Sequence, residues 1–272
     1  MIKSIIGVLT RLLVVTISML ASSTYAGSDR LALTGSSTVA PLVAEIAKRY
    51  ESQHPGVRID VQMGGSSRGI NDARMGLADI GMVSRALKPT EQDLTAFLIA
   101  MDGIGIILHK SNAVGELSDT QIIDIYTGKI RNWQQVGGAD LTITVVNKAE
   151  GRSTLELFLH HFDLKNSQIK AQVVIGDNQQ GIKTVSGNPG AIGYVSIGTA
   201  EFEEARGTPI KLLPMTGHAA TVEAVSKGYY PLSRQLNLVV KKAPAGLAKD
   251  FITFAQSPVV KDLIEAQFFV AP

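Results

Sequence analysis

The chain has 272 residues, with 26 glycines, no cysteine, and 26 lysines and arginines against 24 aspartates and glutamates. This length supplies enough core for one large domain or two of ordinary size. The absence of cysteine excludes a disulfide scaffold, a cysteine nucleophile, a Cys-ligated metal site and a lipid-anchoring cysteine.

The N-terminus has the pattern of a secretory signal peptide over residues 1–26. Lys3 and Arg11 precede an apolar stretch, and a small-residue cleavage signal ends at Ala26. The apolar stretch is shorter than the ~20 residues that a membrane-spanning helix needs. Removal of the leader leaves 24 basic and 24 acidic side chains. We therefore predict a neutral periplasmic protein that binds neither nucleic acid nor membrane and that holds any anion in a local site.

The first half of the mature chain alternates predicted strands with predicted helices. Alternating apolar residues or short apolar runs predict strands at 30–34, 57–63, 80–83 and 103–108. Apolar residues at helical spacing predict helices at 39–50, 70–77 and 90–99. Such alternation is typical of βαβ units and a largely parallel sheet.

The second half repeats this alternation. The predicted helices are 118–126 and 154–162, and the predicted strands are 141–146, 171–175, 191–196 and 236–240. Two helices close the chain, the last with Ser257 as N-cap and Pro258 at its first position. A single sheet would need about ten strands, near the practical limit for an open sheet. We therefore predict two α/β lobes, each a mostly parallel sheet flanked by helices.

Three loops share one design, with glycine and hydroxyl residues between a strand end and a helix start. They are 35–38 (Gly-Ser-Ser-Thr), 64–67 (Gly-Gly-Ser-Ser) and 151–154 (Gly-Arg-Ser-Thr). Free N–H groups and the helix dipole make such a terminus an anion site. Taken singly, each loop is better explained by ordinary N-capping. Three together, divided between the two halves, predict an anion held in a cleft between lobes.

Arginines near these loops supply candidate positive charge. Arg152 lies within the third loop, and Arg85 follows Ser84 at the end of a predicted strand. Two guanidinium groups would match a tetrahedral dianion, although a solvated surface position is the alternative for each. Arg68 and Lys148 are weaker candidates.

One short motif and one histidine pair are candidates for catalytic and metal chemistry. Residues 65–69 fit the G-x-S-x-G pattern of a hydrolase, with Ser67 as nucleophile, and Asp177 and His218 follow in the required order. The flanks of His218 add nothing to this order. The adjacent histidines 160 and 161 diverge on a helix and make a poor metal pair, so we predict no metal and no cofactor. Trp133 is interpreted as a packing residue beside a turn rather than a ligand platform.

Several motifs resemble the periplasmic phosphate-binding proteins of ABC transporters. They stand in family order from about residue 31 to the C-terminus and are 33–39 (LTGSSTV), 65–69 (GSSRG), 79–85 (DIGMVSR), 126–133 (YTGKIRNW) and 190–195 (GAIGYV). The resemblance implies a type II periplasmic-binding-protein fold, with two lobes joined by two crossovers and one phosphate in the cleft. Lobe 1 would comprise 27–109 with 225–272, and lobe 2 would comprise 110–224.

The resemblance also implies which residues line the anion. With Arg85 added from the residue-level argument, the expected ligand-binding set is Ser37, Thr38, the N–H of Val39, Ser66, Ser84, Arg85, Gly151, Arg152, Ser153 and Thr154. The expected protein is a monomeric, non-enzymatic receptor that binds inorganic phosphate and docks on a membrane permease.

The chain departs from the family pattern in two places, the third loop and Ser84. The third loop usually reads Arg-x-acid-Gly-Ser-Gly-Thr, whereas here Lys148 replaces the arginine and Ser153 replaces a glycine. We therefore expect Arg152 to make the cationic contact. Ser84 stands where some members carry an aspartate that accepts the phosphate proton. Discrimination against sulfate then needs another acceptor, such as Glu150 or Asp79, or is weaker.

Three alternatives stay open on the sequence. The receptor could be specific for sulfate, molybdate, tungstate or a phosphonate, because tetrahedral oxyanion binding is better supported than phosphate selectivity. A secreted serine hydrolase using Ser67 is the alternative from another class. An exported binding protein for signalling or adhesion would have the same cleft.

Overall fold

The computed structural model describes residues 29–272, so the predicted leader lies outside the described residues. The strands are β1 (Arg30–Gly35), β2 (Arg58–Met63), β3 (Ile80–Val83), β4 (Thr95–His109), β5 (Thr144–Lys148), β6 (Val173–Ile175), β7 (Ala191–Ser196), β8 (Ile210–Leu212) and β9 (Ser233–Val240). The helices are α1 (Ala40–Gln53), α2 (Ser66–Met75), α3 (Asp119–Tyr126), α4 (Ser153–His161), α5 (Asn178–Ser186), α6 (Ile197–Ala205), α7 (Val222–Ser226), α8 (Gly246–Ala255) and α9 (Lys261–Ala266). Within this range no helix combines the length and apolar character that crossing a bilayer requires.

The strands form two parallel groups joined by antiparallel strands, in the order β2-β1-β3-β9-β4-β7-β5-β6, with β8 on β4. Strand β1 pairs parallel with β2 and β3, and β5 pairs parallel with β6 and β7. Between the groups, β4 and β9 pair antiparallel with each other and with their outer neighbours. We call the part built on β1–β3, with the segment to Glu91, lobe 1, and the part built on β5–β7 lobe 2.

Each lobe has its own principal hydrophobic core. The core of lobe 1 packs α1 and α8 against β1, β3 and β9 and includes Leu33, Ile46 and Phe251. The core of lobe 2 includes Phe158 stacked on Tyr194, with ring centroids 4.0 Å apart. Burial of these apolar side chains stabilises each lobe separately.

Trp133 belongs to the lobe 2 core, which confirms its interpretation as a packing residue. Its side chain is buried at the start of a 3₁₀ turn, Trp133–Val136, and its indole N–H donates to the Gly190 carbonyl at 2.9 Å. The hydrogen bond satisfies the polar edge of an otherwise apolar ring.

Most predicted elements are confirmed, but the predicted helix at 90–99 is wrong. A 3₁₀ turn occupies Pro89–Glu91, and the continuous strand β4 begins at Thr95. A register shift between Leu98 and Ala100 interrupts its pairing with β9. This irregularity disturbs the alternation of buried residues, and the pairing strand lies far along the chain, so local spacing indicated a helix.

Other boundaries differ by a few residues. Helix α2 begins at Ser66, four residues before the predicted start, and β9 begins at Ser233, which brings Arg234 into the strand. The predicted last helix is a 3₁₀ turn at Pro258–Val260 followed by α9. The Ser257 hydroxyl donates to Phe254 O rather than capping it.

Close packing of α2 against the sheet depends on a glycine. A Cβ added to Gly69 would lie 2.8 Å from Met82 O and 2.9 Å from Thr34 O. Both atoms belong to the sheet backbone and cannot move away as a side chain could. The second glycine of the G-x-S-x-G pattern therefore has a packing role here.

We predict that Gly69→Ala destabilises the protein by about 1–3 kcal/mol, because overpacking against backbone outweighs the gain in helix propensity of about 1 kcal/mol. Thermal unfolding followed by circular dichroism measures the difference. Gly115→Ala is the matched control, since no heavy atom lies within 4 Å of its added Cβ. Equal melting temperatures for the two variants would contradict the packing role.

Candidate anion-binding site

The glycine and hydroxyl loops of both lobes converge on one small cavity. They follow β1, β2 and β5, and they meet the end of β3. The lining residues are Ser36, Ser37, Thr38, Gly65, Ser66, Ser84, Arg152, Ser153 and Thr154. Convergence follows from the parallel pairing, because parallel strands end at one edge of a sheet and ligands bind there in open α/β sheets.

The predicted residues divide into those that line this cavity and those beside it. Seven of the ten, namely Ser37, Thr38, Ser66, Ser84, Arg152, Ser153 and Thr154, line it. Two others flank it. The Val39 N–H points to Ser36 Oγ at 3.4 Å, and Gly151 O accepts a hydrogen bond from Ser67 N at 3.2 Å. Arg85 lies outside the lining.

Two polar atoms of the lining residues are buried without a hydrogen-bond partner among residues 29–272. They are Ser153 Oγ and Arg152 Nε. An unpartnered buried donor costs about 1–3 kcal/mol, and more when it is charged. Both residues also lie at the start of α4, where the backbone N–H groups are free. This arrangement is suited to an anion with several acceptor oxygens.

Arg234 is a buried cation beside the cavity that sequence reasoning missed. Its Nε and Nη2 donate to Asp102 Oδ2 at 3.0 and 2.7 Å, and both side chains are 1% exposed. Its Nη1 donates to Thr154 Oγ1 at 2.9 Å, and its Nη2 also contacts Thr38 Oγ1 at 3.3 Å. The guanidinium therefore touches lining residues from both lobes. The sequence signal that could have identified Arg234 is the presence of one charged residue in each of two largely apolar strands, Asp102 in β4 and Arg234 in β9.

Arg85 is buried among carboxylates. Its guanidinium makes two hydrogen bonds to Glu91, at 2.6 and 2.8 Å, and its Nε donates to Glu156 at 3.0 Å. Burial alone would raise the pKa of Glu91, but the hydrogen bonds from Arg85 and from Lys88 N lower it. Glu91 is thus held ionised, and the contacts with Glu91 and Glu156 compensate the charge of Arg85 within the protein.

Glu156 joins the two lobes. It lies on α4 of lobe 2 and accepts from three lobe 1 groups: Arg85 Nε, Lys88 Nζ at 2.7 Å and Ser67 Oγ at 3.3 Å. The bond from Ser67 N to Gly151 O lies in the same region. These contacts hold the lobes together along one side of the cavity.

Lys148 lies at the end of β5 and is 2% exposed. Its ammonium donates to Asn178 Oδ1 at 3.0 Å, and Asn178 Nδ2 donates to Thr38 Oγ1 at 3.1 Å. Burial is the largest cause that lowers the pKa of Lys148 to about 7, and the positive charges of Arg234 and Arg152 lower it further.

No carboxylate is among the residues that line the cavity in the described chain. Of the two acceptors considered for a ligand proton, Glu150 accepts from Asn166 Nδ2 at 3.0 Å, and Asp79 accepts from Ala32 N at 2.8 Å. Arg68, a weaker candidate for the cationic contact, pairs with Asp72 at 3.0 Å. These three side chains therefore have partners outside the lining.

The residues of the hydrolase alternative have separate partners. Ser67 Oγ donates to Glu156, and Asp177 Oδ1 accepts from Gln180 N at 2.8 Å as the cap of α5. His218 is exposed in a turn, where its backbone pairs with Met215. Among residues 29–272, no cluster of His, Cys, Asp and Glu could hold a metal ion.

Comparisons with known proteins identify the family. The sequence model described as the PBP superfamily domain matches residues 21–259, and the chain belongs to this superfamily. The phosphate-binding protein PstS of Bacillus subtilis is 27% identical, over 89% of this chain and 81% of that protein.

Two solved structures are similar over most of the chain. A putative phosphate ABC transporter substrate-binding protein with bound phosphate from Clostridium perfringens is 32% identical, with TM-score 0.82, covering 90% of this chain and 100% of that one. An ABC-type phosphate transport receptor from Vibrio cholerae is 31% identical, with TM-score 0.73, covering 89% and 100%. The predicted resemblance and the predicted two-lobed α/β fold are thus confirmed.

We predict that Asp102→Asn destabilises the protein by about 3–5 kcal/mol, because it leaves the Arg234 guanidinium buried without its carboxylate. Urea denaturation measures the change. Asp262→Asn is the matched control: it breaks the ion pair with Arg49, but its side chain is 65% exposed, and its midpoint should move little. Equal midpoints for the two variants would show that loss of the buried pair destabilises the protein no more than loss of the exposed one.

Proposed function

We propose that the chain is a periplasmic receptor that binds inorganic phosphate between its lobes and delivers it to the membrane permease of an ABC transporter. The observation that carries this proposal is the pair of buried, unpartnered donors, Arg152 Nε and Ser153 Oγ, in a cavity lined by hydroxyls. A phosphate oxygen accepts from such donors. The phosphate-bound relative of the same fold supports this choice of ligand.

In this proposal the ligand replaces its water shell with groups from both lobes. Hydroxyls and backbone N–H groups at the starts of α1, α2 and α4 surround its oxygens. The proposed contacts are Ser37, Thr38, Val39 N, Ser66 and Ser84 from lobe 1, and Gly151 N, Arg152, Ser153 and Thr154 from lobe 2. With the connecting strands β4 and β9 assigned to lobe 1, we propose the bounds 27–109 with 225–272 for lobe 1 and 110–224 for lobe 2.

The charge of a dianion is compensated directly by Arg152, while Arg234, itself paired with Asp102, holds the hydroxyls of Thr38 and Thr154 at the ligand. Arg85 acts differently from the sequence-based expectation in this proposal. It positions Glu156 and so stabilises the closed lobes, since its own charge is already paired. Closure about the β4 and β9 crossovers is the motion expected of this architecture.

One observation favours a second ligand class. The described lining contains no carboxylate that could accept a ligand proton, so a fully ionised tetrahedral anion such as sulfate would meet no repulsion there. Sulfate, molybdate and tungstate are therefore the competitors that a binding experiment must include.

Transport rather than catalysis is the proposed role. The Ser67 hydroxyl is bonded to a carboxylate of the opposite lobe and not to an imidazole, so it lacks the activated-nucleophile arrangement. The leader pattern and the names of the relatives support export to the periplasm and a permease as partner.

We predict that the mature chain stripped of ligand binds phosphate, and that Arg152→Ala loses about 2–5 kcal/mol, or roughly 30- to 5,000-fold in affinity. The loss should exceed that of Arg85→Ala, because Arg152 Nε has no hydrogen-bond partner among residues 29–272. Isothermal titration calorimetry with competing sulfate measures both affinity and selectivity.

Arg30→Ala is the control, since its side chain is 69% exposed at the start of β1 and should leave binding unchanged. Absence of phosphate binding by the native chain would contradict the proposed function. Negligible losses for both Arg152→Ala and Arg85→Ala would show that the cationic contact is misplaced.

A further inference from the structure

Lys148 belongs to a cluster of three cations around the cavity, of which Lys148 and Arg234 are buried and Arg152 is half-buried. Arg152, at the cavity, has an unpartnered Nε, and Arg234 is bonded to two lining threonines. The negative charge of Asp177 raises the pKa of Lys148, and the same carboxylate caps α5 by accepting from Gln180 N. Asp102 pairs with Arg234 through Oδ2 and accepts from Gly198 N through Oδ1. With Lys148 protonated, the three cations exceed the two carboxylates by one positive charge, which favours a bound anion.

A hydrogen-bond chain links Lys148 to the cavity. Its Nζ donates to Asn178 Oδ1, and Asn178 Nδ2 donates to Thr38 Oγ1, which lies in the lining. Asn178 is itself buried, so water does not screen this path. Arg234 converges on the same Thr38 hydroxyl. Only the Asn178 amide and the Thr38 hydroxyl therefore separate the Lys148 ammonium from the proposed ligand.

Lys148 differs from the other two cations because it can lose its charge. Arginine stays protonated in proteins. The groups facing Lys148 are Arg234 on β9, Arg152 before α4 and Asp177 before α5, and the Tyr194 hydroxyl on β7 lies against its backbone N–H. Burial raises the pKa of Tyr194, which keeps this phenol neutral. With the pKa of Lys148 lowered to about 7, its amine is partly neutral at neutral pH.

We propose that Lys148 is the proton-linked cation of the anion site: it takes up a proton from solvent when a dianion enters the cavity. The neutral amine becomes an ammonium, and the proton comes from water or buffer, so the ligand keeps its own protonation state. The site then gains one positive charge only when a dianion occupies it. Anions of higher negative charge are therefore preferred over anions of lower charge. This inference rests on the proposed function.

The direction of the pH dependence follows from linkage. A bound dianion raises the pKa of Lys148, so the complex binds more protons than the free protein. Affinity for a dianion should fall as pH rises above about 7, approaching tenfold per pH unit while the free amine is neutral and the bound amine is charged. Below that pH, Lys148 is charged in both states and contributes no pH dependence.

The test counts protons during phosphate binding. Calorimetry between about pH 8 and 9.5 uses two buffers of different ionisation enthalpy, in a range where phosphate is already a dianion. We expect the native chain to take up as much as one proton per phosphate. Lys148→Arg keeps the charge without titrating in this range, and Lys148→Met removes it, so both should take up none. Lys148→Met should also bind more weakly at pH 7.

Lys129→Met is the matched control, because this lysine is 71% exposed and pairs with Asp124 away from the cavity lining. It should keep the native proton count. Phosphate binding by the native chain without proton uptake would overturn the inference and leave the proposed function intact. Proton uptake that persists in Lys148→Met would assign it to the ligand and also overturn the inference. Absence of all phosphate binding would instead refute the proposed function.

Discussion

The ion pair between Arg234 and Asp102 is the constraint on which the rest of the site depends. It joins β9 to β4, the two strands that lie between the parallel groups, and both side chains are 1% exposed. A buried pair of this kind is tolerated only when its remaining hydrogen-bonding capacity is satisfied. Thr38 and Thr154 supply acceptors from opposite lobes, so the requirement of Arg234 fixes where the two loops stand.

The protein separates charges that would otherwise cancel at the cavity. The carboxylates of Glu91 and Glu156 are held by Arg85 and Lys88, outside the lining. Lys148 and Arg152, beside the Arg234–Asp102 pair, are left to set the potential inside, although the mature chain predicted from the sequence is neutral. Interactions inside a protein are weakly screened, so this local excess matters more than the net charge.

The loops and arginines show how far sequence reasoning reached. Seven of the ten predicted site residues line one cavity, because each loop carries a local signal: glycine and hydroxyls between a strand and a helix. Arg152 was found inside such a loop. Arg85 is predicted to lie near the cavity because it follows Ser84 at the end of a strand, yet its partners Glu91 and Glu156 occupy its guanidinium. The local sequence around Arg85 does not indicate that Glu156, 71 residues away, is its partner.

The α/β alternation, the family resemblance and the three loops can be read from the sequence, since they depend on spacing and on residue types close together along the chain. The path of β4, the role of Arg234 and the environment of Lys148 follow only from the folded arrangement. Strand β4 is fixed by pairing with the distant β9, and the pKa of Lys148 by burial beside two arginines. Pairing and desolvation depend on groups brought together by folding, which no local pattern records.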